Sequence, residues 1–306
     1  MSGCSLPLGV QVIERGWLSA NMVLATGPYN TAVIDSGYCT HSAQTVALVQ
    51  AALGTVPLNY LLNTHLHSDH CGGNAALQAH FPLFQTLIPP GHAAAVTDWD
   101  PVTLSHVPTG QLCPQFAYQG LLIPGQEIQL GENTWQIHAA PGHDPNAVIL
   151  FEPVSRTLIS ADALWENGFG VVFPELEGDD AFEAVGATLD LIAQLSPVTV
   201  IPGHGRVFPY SEIVLDRARS RLDVFTANPL KHARHAAKVL LKFKLLEVQQ
   251  QDVDVFLDWA LRTPYFELVR NRFFDSVPAA DWINTLIEEL QLSGAARREG
   301  TDLANA

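Results

Sequence analysis

The chain has 306 residues, 47% of them hydrophobic, and a formal net charge of −15, which allows one large catalytic unit with a smaller appendage. No run approaches the roughly 20 apolar residues that cross a bilayer, and Met1 to Val10 has neither a basic start nor a long apolar stretch, so a membrane-spanning or exported protein is set aside and a cytoplasmic one expected. Cys4, Cys39, Cys71 and Cys113 are scattered without a CxxC pair, which suits a reducing compartment rather than a disulfide framework.

In chain order, short β-rich runs bounded by Gly, Pro, Asn or Asp predict strands over 21–25, 31–34, 58–62, 126–130, 134–139, 147–150, 157–160 and 198–201. Helical periodicity fits 42–53, 73–80 and 179–195, the last with Phe182, Val185, Leu189 and Ile192 on one face. This interleaving is an α/β layer pattern. Beyond Pro209 strand signals nearly vanish, and helices are predicted over 211–226, 231–247, 252–262, 264–274 and 278–292. The expected organisation is therefore a catalytic domain over 1–210 and a small helical domain over 211–306. No fixed-period repeat or low-complexity segment interrupts it.

Charge divides at the same place. Residues 1–210 carry only Arg15, Arg156 and Arg206 against 17 acids, net −14, whereas 211–306 hold 13 basic and 14 acidic groups. The first segment should repel polyanions, so nucleic acid is disfavoured as a substrate.

The densest chemistry lies in Asn63-Thr-His-Leu-His-Ser-Asp-His-Cys-Gly-Gly-Asn74, which packs His65, His67, Asp69 and His70 into six residues after an apolar run. Chance would place such a pattern about 0.001 times in a chain of this composition. Imidazoles with a carboxylate suit a borderline divalent ion such as zinc. His143, Asp162 and His204 each follow a predicted strand, as the main motif does. If those strand ends share an edge, seven ligands converge, more than one tetrahedral zinc uses, and two ions are implied. Two cations about 3.5 to 4 Å apart can share a water, lower its pKa and supply hydroxide as the nucleophile. Cys71, beside the motif, reads as a small buried filler, and His106 as structural.

These residues resemble the metallo-β-lactamase-fold hydrolases, and Thr64-His-Leu-His-Ser-Asp-His-Cys-Gly-Gly-Asn74 is particularly similar to glyoxalase II relatives. The resemblance covers about residues 10–210 and implies an αββα sandwich. It further implies that His65, His67 and His143 bind the first ion, that Asp69, His70 and His204 bind the second, and that Asp162 bridges them. Asp35, in Val33-Ile-Asp-Ser-Gly37, matches the early acidic position that supports the ligand loop by hydrogen bonding. After His143 this chain has Asp144-Pro145-Asn146 where those relatives commonly carry a small hydroxyl residue and glycine, so substrate contacts there do not transfer. The segment Ile201-Pro-Gly-His-Gly-Arg206 and the C-terminal helices, with a short 295–299 wing, are similar to a branch that includes metal-dependent endoribonucleases.

The reading that follows is a binuclear hydrolase, zinc first with iron or manganese as alternatives, acting on a small carboxylic ester or thioester. Asp69 is the expected proton carrier to the leaving group. Arg206, Trp165 and Asn146 are the expected substrate contacts, with Trp165, Phe169 and Phe173 able to line an apolar pocket or to serve in the core or a homodimer contact. Lys231, Arg234, His235, Lys238 and Lys242 form a basic stripe at helical spacing, read chiefly as a solvated face. A metal-dependent endoribonuclease and a mono-iron sulfur dioxygenase are the alternatives.

Overall fold

Residues 4–306 are described by the computed structural model. The chain opens with an antiparallel meander, β1 (Val10–Ile13), β2 (Met22–Thr26) and β3 (Thr31–Ile34), and passes through α1 (Ser42–Leu53) into β4 (Tyr60–Leu62). After α2 (Ser68–Cys71) and α3 (Asn74–His80) come β5 (Gln85–Ile88), α4 (Ala93–Asp98) and β6 (Gly120–Leu121). These six strands form one sheet in sequence order. From β3 onward its neighbours are parallel, and each parallel step is bridged by the long helix-containing crossover that such pairs need.

The second sheet contains β7 (Glu127–Leu130), β8 (Asn133–Ala139), β9 (Val148–Glu152), β10 (Thr157–Ala161), β11 (Thr199–Pro202) and β12 (Phe208–Pro209). Its order is β12-β11-β10-β9-β8-β7, with α5 (Phe173–Glu177) and α6 (Ala181–Leu195) in the crossover from β10 to β11.

The sheets face each other. Val23, Ala25, Ala32, Ile34 and Leu62 of the first meet Trp135, Ile137, Val148, Leu150 and Ile201 of the second. On the outer face of the first sheet, Met22, Leu24 and Val33 pack against Val49 and Leu53 of α1 and Leu77 of α3. On the outer face of the second, α6 buries Phe182, Val185, Leu189 and Ile192. With both faces covered, the period-two alternation along β2 separates two apolar environments, so the strand reads as a continuous apolar run. The result is the αββα sandwich expected.

Past β12, α7 (Glu212–Ala227) inserts Val214, Leu215, Ala218 and Phe225 into the same core as α6. The next helix, α8 (Pro229–Val248), starts where Asn228 accepts a hydrogen bond from the Lys231 amide and Pro229 occupies the first turn. It packs with α9 (Val253–Arg262), α10 (Pro264–Phe273) and α11 (Ala279–Leu292) around a separate core that includes Leu240, Phe256, Phe266, Trp282 and Leu286. A small antiparallel sheet, β13 (Gln250–Asp252), β15 (Asp302–Asn305) and β14 (Ala296–Glu299) in that order, closes the unit. In chain order the unit is thus a helix, a strand, three helices and a two-stranded hairpin.

Candidate metal centre

Four strands deliver the predicted ligands to one edge of the sandwich, and a fifth delivers the supporting Asp35. Asp35 follows β3, the block His65–His70 follows β4, His143 lies four residues past β8, Asp162 directly follows β10, and His204 stands two residues past β11. Backbone bonds lock the loops together across the sheets: the Val148 amide donates to the Thr64 carbonyl (2.8 Å), and the Asn21 amide to that of Gly203 (2.7 Å).

All seven predicted ligand side chains meet there. Ligand atoms lie within 4.8 Å of one another in three groups: His65, His67 and His143; Asp69, His70 and His204; and His65, His70 and Asp162. His67 Nδ1 is 2.8 Å from His143 Nε2, and His204 Nε2 is 3.0 Å from Asp69 Oδ2. The Asp162 carboxylate stands between the groups, 3.3 Å from His143 Nε2, 3.5 Å from His70 Nε2 and 3.9 Å from His204 Nε2.

Local chemistry orients three of the rings. Asp35 holds a left-handed φ of 58°, which aspartate tolerates better than most residues. From there Oδ1 accepts from the Thr64 amide (2.9 Å), and Oδ2 accepts from the Thr64 hydroxyl and from His70 Nδ1, both at 2.8 Å. His70 thus carries a proton on Nδ1 and presents Nε2. His143 Nδ1 donates to the Val171 carbonyl and likewise presents Nε2, the arrangement by which a second partner sets the tautomer of a ligating histidine. Asp144 Oδ2, 3.8 Å from His67 Nε2, stands behind the third ring. Two glycines make room: a Cβ at Gly203 would fall 2.1 Å from Asp162 Oδ1, and one at Gly170 would fall 2.5 Å from His143 Nδ1.

The electrostatics suit a cation. Burial, with the neighbouring imidazoles, pushes His65 well below the usual histidine range, and burial together with His143 brings His67 down to about 3. For His70 burial acts in the same direction, but the Asp35 and Asp162 charges outweigh it and raise the ring well above that range. Burial opposes the ionised form of Asp162 too, yet the surrounding histidines hold it well below the normal carboxylate range. His65 Nε2 and His70 Nε2 are buried without a hydrogen-bond partner, a cost of about 1–3 kcal/mol each that an ion would remove. Nitrogen and carboxylate oxygen donors of this kind fit zinc, manganese or iron.

A cavity of about 640 Å³ opens over the centre and is roofed by α8. His67, Asp69, His143, Asp162 and His204 reach it, with Trp17, Trp165, Phe169 and Phe173 on the sandwich side and Val239, Leu240 and Phe243 opposite. Trp17 stacks on the His204 ring at 5.4 Å. Of the expected substrate contacts, Trp165 and Arg206 line the cavity. Asn146 does not: its amide nitrogen turns to His92 Nε2 at 3.1 Å, and its backbone amide donates to Asp144.

Three contributors lack any motif. Asp144 reads in the sequence only as a departure from a known pattern, and Trp17 stands alone. Arg221 lines the cavity, donates to the Asn167 carbonyl and His235 Nε2, and lies over the Phe169 and Phe225 rings. Its only sequence cue is a four-residue spacing to Phe225. The basic stripe on α8 is largely committed within the fold. Arg234 and Lys238 pair with Glu289, and Lys242 donates to the Ala295 carbonyl and Asn305 Oδ1. A solvated face would leave those cations free, but α11 and the small sheet pack directly against this one.

Comparison with known proteins places this geometry in a family. Residues 15–204 match the metallo-beta-lactamase superfamily. Hydroxyacylglutathione hydrolase of Thermosynechococcus vestitus is 24% identical over 186 residues, 61% of this chain and 62% of that protein. Its counterpart in Dechloromonas aromatica is 28% identical over 210 residues, 69% and 64% respectively. The chain thus spans about three fifths of the length of the curated relatives it matches. Among solved structures, a metallo-beta-lactamase family protein of Thermus thermophilus superposes with a TM-score of 0.58 at 18% identity, covering 99% of this chain and 100% of its own. A beta-lactamase domain protein of Burkholderia ambifaria gives 0.59 at 18%, covering 99% and 93%. These likenesses extend the shared fold through the C-terminal helices. The chain belongs to the metallo-beta-lactamase superfamily.

Proposed function

We propose that the protein is a binuclear metal-dependent hydrolase of small carboxylic esters or thioesters, similar in chemistry to glyoxalase II. The observation that carries the reading is the convergence of seven buried or half-buried candidate ligand side chains, with buried ring nitrogens that lack a hydrogen-bond partner, at the floor of a largely apolar cavity. His65, His67 and His143 would hold one divalent ion and Asp69, His70 and His204 the other, with Asp162 shared, zinc first and iron or manganese as alternatives. Such a pair of ions lowers the pKa of a shared water and polarises a carbonyl.

The chain's own groups do the rest. Trp165 Nε1 donates to Asp162 Oδ1 (3.2 Å) and orients the shared carboxylate. Asp69 is the more exposed of the two site carboxylates, 14% against 6%, and lines the cavity. It is the group placed to pass a proton to a departing thiolate or alkoxide. Trp17, Phe169 and Phe173 keep bulk water from the reacting carbonyl. The names of the relatives point to thioesters.

Two features count against the endoribonuclease alternative. The catalytic segment is strongly acidic, which penalises long polyanions. In addition, α11, the last helix before the wing and the one a winged helix sets in a nucleic-acid groove, carries Asp281, Glu288 and Glu289 and neither Lys nor Arg. No helix among the described residues is long and apolar enough to cross a membrane.

The test is a substrate panel, with thioesters followed by thiol release and single-stranded RNA at low salt on zinc-loaded protein, and oxygen uptake with a metal count on iron-loaded protein. Thioester turnover with no RNA cleavage is expected. RNA cleavage without thioester turnover, or oxygen consumption with one iron per chain, would contradict the reading.

A further inference from the structure

We propose that Cys71, His106 and Cys113 form a second metal site, separate from the catalytic centre, that takes a thiophilic divalent ion such as zinc and clamps one wall of the cavity. One ligand atom from each residue lies within 4.8 Å of the others. Cys71 and His106 are buried and Cys113 is half-buried. The two sulfurs are 3.7 Å apart, far from the ~2.05 Å of a disulfide. Two thiolates at ~2.3 Å from one tetrahedral zinc stand about 3.8 Å apart, so the thiols already hold the spacing of a shared ion.

The histidine fits the same purpose. His106 Nε2 is 3.0 Å from the Leu66 carbonyl, and because a carbonyl only accepts, the proton sits on Nε2. That leaves Nδ1 with a lone pair, buried and without a partner. A ring that donates one nitrogen to a backbone carbonyl and keeps the other bare is in the form in which imidazole ligates.

On binding, the two thiols lose their protons to solvent while the imidazole stays neutral. Two thiolates balance a divalent charge, so the buried site carries no net charge, and the half-exposed side at Cys113 leaves the fourth position to water. The clamp has a place in the fold. His106 and Cys113 belong to the stretch between α4 and β6, which contains turns but neither helix nor strand over 99–119. Ser105, Thr109 and Gln111 of that stretch line the cavity. Cys71 ends α2, which carries Asp69 and His70. An ion shared by the two elements would tie a loop with little regular structure of its own to the helix that presents two catalytic ligands.

The seven catalytic ligands contain no sulfur, so sulfur–metal signals report on the new site alone and survive any failure of the hydrolase reading. X-ray absorption on the zinc-loaded wild-type chain is expected to show sulfur scatterers at ~2.3 Å. The cobalt-substituted chain is expected to show an intense sulfur-to-cobalt charge-transfer band in the near ultraviolet. Cys113→Ser should abolish the band and lower the metal content by one ion per chain with an unchanged far-ultraviolet circular dichroism spectrum, while Cys39→Ser keeps both. Absence of sulfur scatterers in the wild type, a Cys71–Cys113 disulfide in the metal-loaded protein, or a band lost in Cys39→Ser but kept in Cys113→Ser would overturn the proposal.

Discussion

Replacing Asp35 with asparagine tests how the centre is held together without touching a proposed ligand. In the wild type, Oδ1 accepts from the Thr64 amide and Oδ2 accepts from both the Thr64 hydroxyl and His70 Nδ1. Asparagine can keep the first bond only by placing its NH₂ toward the other two donors. The Thr64 hydroxyl can rotate and accept. His70 Nδ1 can become an acceptor only by moving its proton to Nε2, the atom that faces Asp162 at 3.5 Å and has to be bare to ligate. Loss of one charge-assisted hydrogen bond is worth about 1.5–3 kcal/mol, so the zinc affinity of the Asp69, His70 and His204 group in Asp35→Asn should fall about 10- to 100-fold. Chelator competition on the folded variant measures it. An affinity within about twofold of wild type would refute the role assigned to Asp35 and the Nε2 mode of His70.

Three further outcomes are expected. His143→Ala and Asp162→Ala should each cut ester or thioester turnover by more than about 100-fold, beyond the range of changes to groups that only support a ligand, with retained circular dichroism; near-normal kcat would remove that residue from the site. Arg221→Gln should raise KM about tenfold for esters bearing a carboxylate, with little change in kcat or on neutral esters, since the half-buried guanidinium lines the cavity and rests on neutral partners; equal effects on both substrates would rule out charge recognition. His232 is 1% exposed, and burial, with Arg221 adding, pushes it down to about 4. Between pH 6.5 and about 4 the unfolded chain therefore binds a proton that the folded chain refuses. The stabilisation is complete above pH 6.5 and is lost as pH falls toward 4, by up to about 3 kcal/mol. Denaturant unfolding across that window should show the slope in the wild type and a flatter one in His232→Leu; identical slopes would dismiss the group.

What the sequence made legible follows from local physics. The strands that lead into the site, such as 31–34 and 157–161, are apolar runs ended by turn residues, and all the predicted strands and helices appear within two residues of their expected limits. β5, with the sequence Gln-Thr-Leu-Ile, was not legible because its strand character comes from parallel neighbours on both sides, which no local pattern encodes. β1, β6, β12 and β13 are edge or two-to-four-residue pieces of the same kind. The seven proposed ligand side chains stood out because ligation restricts residue type and each follows a strand end. Arg221 and the Cys71–His106–Cys113 cluster stayed hidden because only tertiary packing brings them together, the cysteines 42 residues apart. Asn146 shows the opposite limit: proximity to His143 in sequence did not decide which way its side chain turned.

The pairing of ions is tested most directly by anomalous X-ray scattering from crystals of the zinc-loaded protein. Two peaks roughly 3.5–4 Å apart are expected at the strand ends, one among His65, His67 and His143 and one among Asp69, His70 and His204, with the Asp162 carboxylate between them. A single peak there, or none at saturating zinc, would contradict a binuclear centre.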